Sequence, residues 1–129
     1  MTWTFDMFEP GAAIGTAEQT VDDAKVDEWY AIYTDQPDTR PLVPAGMAML
    51  IVMHGYAEAV HPRPNGNVHA SQELTIKRVP RIGDRLTTSV HCKSKQLKKE
   101  RRWVTFDVEV RDQHGNLCYE ATNTSVWAA

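Results

Sequence analysis

Asp35, His54 and His69 are the residues of this sequence best suited to acid–base chemistry. A carboxylate or an imidazole held close to a reacting group can take or give a proton. Asp35 follows an aromatic helix end and precedes a proline turn, so it reads either as a loop acid or as a general base. His54 is the one imidazole on an apolar segment. It reads either as a core histidine or as an acid–base group facing a pocket, two turns in from Gly46. His69 opens a long strand near the far end of that segment, while His61, His91 and His114 fall in turns or on a polar strand face. Gly46, with Met47, opens the apolar segment. Backbone N–H groups at a helix start lack intrahelical partners and sit at the positive end of the dipole. A carbonyl oxygen placed there would be polarised without any particular side chain. The glycine has a plainer use as well, which is close packing. A last group is the run Lys93, Lys95, Lys98, Lys99, Arg101 and Arg102, broken by one acid, Glu100. It reads as a solvated hairpin or as a contact for phosphate, to which basic side chains supply charge.

These residues need elements to hold them. Thr20 and Asp23 have capping-box spacing, with Asp in place of Glu, and Asp22 and Asp23 suit a helix N-terminus. Val26, Trp29, Tyr30 and Tyr33 follow at i, i+3, i+4 and i+7, which predicts a helix over 21–33. Three prolines make 34–45 a loop. A second helix over 46–60 is apolar apart from His54, Glu58 and two glycines, so most of its sides must be buried. The stretch 61–66 is dense in turn residues. Everything beyond reads as strands: 68–79, then Leu86 to Cys92, then Val104 to Val110 in strict alternation, then Leu117 to Trp127. Residues 94–101 are expected as a charged loop, and 1–15 as an irregular arm.

Composition narrows the classes. The chain has 129 residues, 42% hydrophobic and 24% charged, which suits one globular domain over 1–129. The net charge of −3 disfavours a nucleic-acid binder. Charge is uneven, however: residues 1–60 hold ten acids and two bases, and residues 61–129 hold seven acids and twelve bases. Such a split fits an anionic ligand on one side, and it fits chance. Cys92 and Cys118 are too few for a disulfide framework and are expected as buried thiols. No phosphate loop, dinucleotide fingerprint, nucleophile elbow or metal-ligand set is present, so no cofactor and no metal are expected. Neither a leader peptide nor a membrane span is visible, and a cytoplasmic location is expected.

Antiparallel strands joined by short turns, preceded by one apolar helix, imply an α+β hot-dog fold with a curved sheet around that helix. One sheet leaves part of the helix uncovered, so a homodimer or dimer-based oligomer is expected. The sequence then resembles the MaoC-like dehydratases, a hot-dog family that includes enoyl-CoA hydratases. Phe8-Glu9-Pro10-Gly11 through Ile14-Gly15, Thr20-Val21-Asp22-Asp23, Pro44-Ala45-Gly46-Met47, Arg78 through Leu86, and Val108 through Leu117 are similar, in order and spacing, to that family's segments. The resemblance implies binding of an acyl-CoA or carrier-protein thioester, with hydration of enoyl groups as the reaction. Thioester hydrolysis and a non-catalytic binding subunit are the alternatives. On this reading either a one-residue shift of the family's motif lets Asp35 serve as base with a histidine from elsewhere, His54 or His69, or the hydratase chemistry is absent. Gly46 and Met47 would polarise the thioester carbonyl, and Lys95, Lys98, Lys99 and Arg101 would contact the ligand's phosphates. The family's Asp-x-Asn-Pro-x-His motif departs here: with Pro37 aligned, Thr34 stands at the Asp position and Thr39 at the His position. A threonine hydroxyl has no pKa suited to a base near neutral pH.

Overall fold

Alternation of side chains, apolar in and polar out, decides which strands form and which face they bury. The computed structural model describes residues 1–129. In chain order the elements are β1 (Ala13–Thr20), α1 (Asp23–Ile32), α2 (Ala48–Ala59), β2 (Val68–Ile76), β3 (Arg85–Lys98), β4 (Arg101–Arg111) and β5 (Leu117–Trp127). Short 3₁₀ turns sit at Phe5–Met7 and Ala45–Met47. The strands form one antiparallel sheet in the order β1-β3-β4-β5-β2. Leu86, Thr88, Val90 and Cys92 of β3 and Val104, Phe106, Val108 and Val110 of β4 all face the core, as their alternation predicts.

Helix α2 lies on that inner face and touches β1, β3, β4 and β5. Ile51, Val52, Tyr56 and Ala59 are buried against the sheet, while Met49 and Leu50 stay 43% and 59% exposed. The helix is therefore covered on one side only, less than the burial on most sides that its apolar sequence predicts, because one sheet packs against one face of it. Gly55 sets how closely it approaches. A Cβ on Gly55 would collide with Thr88 Oγ1. Next to this helix, Phe8 packs edge-on to Trp127 and Phe106, at 5.0 and 5.4 Å between centroids. Trp3 stacks on Phe8, and the Trp127 indole N–H donates to Trp3 O at 2.8 Å. Cys92 and Cys118 are free and buried, and burial pushes both thiols up.

Four expectations are corrected. The segment 13–20 is a strand, so the sheet has five strands rather than four, and Thr20 ends a strand instead of capping a helix. The cap is Asp22, which accepts from the Lys25 N–H at 2.9 Å. Strand β2 pairs with β5, not with β3, so the chain crosses the sheet before its three-strand meander begins. The 94–101 loop is absent: β3 and β4 stay paired to Lys98↔Arg101, and Lys99 and Glu100 turn the chain with φ of 52° and 63°. That is the positive-φ pair a two-residue hairpin requires. No helix is long and apolar enough to cross a membrane.

The Gly55–Thr88 contact yields opposite outcomes for two substitutions. Gly55→Ala should destabilise the fold by about 1–3 kcal/mol through overpacking. Thr88 Oγ1 is buried without a hydrogen-bond partner. Thr88→Val removes that unpaired hydroxyl and should stabilise by about 1 kcal/mol. Urea denaturation of both variants measures the two signs.

Candidate functional site

The start of α2 is built by α1. Trp29 is buried beneath Gly46, and a Cβ at Gly46 would come within 2.6 Å of its ring. Only glycine lets the two helices meet this way, so close packing is an established use of Gly46. The 3₁₀ turn then spends most of the local donors. The Met47 N–H donates to Pro44 O at 3.0 Å, and the Ala48 N–H to Ala45 O. The Gly46 N–H has no acceptor within the chain. Of the two positions expected to polarise a carbonyl, Gly46 has its donor free and Met47 does not.

The loop before α2 is pinned by Tyr30. Its hydroxyl donates to Pro37 O at 3.2 Å and accepts from the Thr39 N–H at 3.0 Å. Arg40 lies 5.3 Å over the Tyr30 ring centroid and pairs with Asp27 at 2.7 Å. Thr39 Oγ1 donates to Leu42 O at 3.3 Å. Thr34 and Thr39 thus stand in a braced loop with no ionisable group at either position. Asp35 is exposed and takes part in no hydrogen bond or ion pair.

Beside this loop, α1, α2 and β1 enclose an apolar groove of about 460 Å³. Val21, Trp29, Met47, Leu50 and Ile51 form its walls. Gln19 of β1 closes one side and donates to Ile51 O at 2.9 Å. His54 stands at the rim, half exposed, 3.9 Å from Glu58. Gln19 escaped the sequence reading because the strand before α1 was not recognised, although Ala17 and Gln19, two residues apart, both turn inward.

His69 faces a second, smaller cavity of about 190 Å³, between α2, β2 and β5. Tyr56, Asn123 and Ser125 line it with Arg63 and Asn67. Burial pushes the Tyr56 phenol up to about 12, against the pull of the Arg63 charge. Asn123 and Ser125 were also missed, and here a signal existed. Ala121, Asn123, Ser125 and Trp127 occupy one register of β5, so the two polar residues must share the buried face. The structure therefore brings Met47 and His54 to one groove, with Gly46 next to Met47 but not in its wall, puts His69 in another cavity, and leaves Asp35 outside both.

The basic residues divide as well. Lys95 turns away from its neighbours, donates to Phe5 O at 3.1 Å and lies 4.8 Å over the Phe5 ring centroid. Lys98, Lys99 and Arg101 line a cavity of about 660 Å³ with Gln96, Trp103 and Thr124. That hairpin is the far end of β3, whereas α2 starts near its beginning, where Val43 N–H donates to Pro80 O at 2.9 Å and Gly83 N–H to Val21 O. The hairpin and the start of α2 therefore lie toward opposite ends of the 14-residue strand β3.

Tyr30 is the brace of the loop, so Tyr30→Phe should leave the fold intact and free residues 34–42. Amide exchange there should speed by at least tenfold, with the β3–β4 amides unchanged.

No protein-family model matches this sequence, and no curated protein sequence matches it. Solved structures do match the fold. A MaoC-like dehydratase from Rhodospirillum rubrum superposes with a TM-score of 0.82 at 19% identity, covering 95% of this chain and 94% of that one. The R-hydratase PhaJ1 from Pseudomonas aeruginosa gives 0.75 at 14% identity, over 95% and 84%. The ChsH1–ChsH2 complex from Mycobacterium tuberculosis gives 0.73 at 15% identity, over 94% and 99%. The likeness is one of architecture, and by it this chain has the hot-dog fold.

Proposed function

We propose that this chain is an acyl-thioester-binding hot-dog subunit that does not itself carry the acid–base pair of a hydratase. The carrying observation is the pairing of a formed groove with an empty motif. An apolar groove of about 460 Å³ adjoins a free backbone donor at Gly46. The positions that would activate water hold Thr34 and Thr39, and Thr39 is engaged by Tyr30 and Leu42. The thioester carbonyl would accept from the Gly46 N–H, and Leu50, Ile51 and Trp29 would take apolar parts of the acyl group.

A second subunit completes this reading. Met49, Leu50 and Ile32 are 43%, 59% and 73% exposed on the helical face, and β2 is an edge strand with Val68 and Ile76 partly bare. Pairing buries such an edge. The ligand is coenzyme A or a carrier-protein arm, and its anionic end would meet Lys98, Lys99 and Arg101 of the partner subunit, since this chain's own hairpin lies too far from Gly46. The fold also occurs in complexes of two named chains, such as the ChsH1–ChsH2 complex. Hydration is the second reading, favoured by the exposed Asp35 carboxylate in the loop beside Gly46.

Three assays separate the readings. Calorimetry with crotonyl-CoA and octanoyl-CoA should show binding, and Leu50→Glu should weaken it by at least tenfold while circular dichroism stays unchanged. Incubation with crotonyl-CoA should leave the enoyl absorbance constant. Its loss in the wild type, abolished by Asp35→Ala, would establish hydration and sink the non-catalytic reading. Thiol release from octanoyl-CoA would instead mark a thioesterase, because a hydratase leaves the thioester intact.

A further inference from the structure

The cavity of about 190 Å³ behind α2 is unlike the groove in front of it. Asn123 is 1% exposed, and its Nδ2 has no hydrogen-bond partner. Its Oδ1 is already taken, since the Ser125 hydroxyl donates to it at 3.5 Å. Asn67 Nδ2 is buried and unpartnered as well, while Asn67 Oδ1 accepts from the Ala128 N–H at 2.8 Å. Both amides therefore keep an unpartnered Nδ2 donor. Arg63 adds a positive charge at the wall, fixed by donation to Ala57 O and Val60 O. His69 is at the mouth, and no acid lines the cavity. Unpaired buried donors carry a desolvation cost that a ligand acceptor relieves. Asn67, Asn123 and Arg63 line one small space, and unpaired amide donors beside a guanidinium suit a carboxylate, an acceptor-only group.

We infer that this cavity is a carboxylate subsite, and that the acyl group this chain takes ends in a carboxylate. The second half rests on the acyl-thioester reading above. Met53 and Ala57, which border the cavity, are 7 and 11 residues along from Gly46. At about 1.5 Å per residue that places the carboxylate roughly 10–16 Å from the thioester carbonyl. Leu50 and Met53 lie between the two ends on the uncovered face of α2 and offer apolar contact to the intervening methylenes.

The experiment compares the mono-CoA thioester of sebacic acid with decanoyl-CoA, which differ only in the end group. Sebacyl-CoA should bind at least tenfold more tightly to the wild type, and Asn123→Leu, which removes the amide at similar volume, should cancel that advantage while leaving decanoyl-CoA affinity within twofold. Equal affinities for the two esters, or a preference that survives Asn123→Leu, would overturn the inference. If neither ester binds, the acyl reading fails and free sebacate decides the subsite alone. Shifts of the Asn123 and Asn67 side-chain amide resonances on titration would support it, and their constancy would overturn it.

Discussion

Everything in this molecule depends on how closely one apolar helix can approach one sheet. The sheet is a single layer, so α2 provides the opposite wall of the core. The approach is set where Gly55 meets Thr88, with no room for a Cβ between them. At that distance Ile51, Val52 and Tyr56 reach the buried faces of β3 and β4, and the aromatic cluster of Phe8, Phe106 and Trp127 closes the far end. A helix held further off would leave gaps that aliphatic side chains could not fill without strain, because interiors are packed like crystals. The same constraint explains why half of α2 is bare. A flat contact on one side buries one face, and Met49 and Leu50 stay on the other.

The position of α2 then fixes the site. Its first turn must cross α1 at Trp29, which requires glycine at 46 and leaves one backbone donor free beside an apolar groove. The preceding loop has its own bracing, in Tyr30, Arg40 and Asp27, and this holds Thr39 in place. Binding surface and reactive groups thus come from different sources. The groove follows from helix packing and persists whatever the loop residues are. Water activation needs particular side chains, and at Thr34 and Thr39 the loop offers only hydroxyls.

The central sheet was legible because β3 and β4 bury one face and wet the other, so period two is written into them residue by residue. Helix α2 was legible for the opposite reason, its lack of a polar face. Strand β1 was not, since Pro10, Gly11 and Gly15 read as punctuation and the alternation of Ala17 with Gln19 is weak. Its pairing with β3 is a long-range choice that no local pattern encodes. The place of β2 at the β5 edge is non-local in the same way. Of the site, Gly46 and His54 could be found from their place on an apolar segment. The exposure of Asp35 and the separation of His69 from His54 depend on which side of α2 each neighbour packs, which spacing along the chain does not determine.

The buried polar atoms are of two kinds. Thr88 Oγ1 and Tyr119 OH are unpaired, and burial pushes the Tyr119 phenol upward. These two are scattered, each next to apolar neighbours, and neither borders a cavity described above. Asn67 and Asn123 differ because their free donors flank one space, with a fixed guanidinium beside them. An isolated unpaired hydroxyl is only a cost to stability, on the order of 1–3 kcal/mol. Donors that converge on an enclosed volume carry the same cost in the free protein, and a single acceptor group offsets several of them at once. A shared cavity, rather than burial, is what distinguishes Asn67 and Asn123 from the scattered hydroxyls.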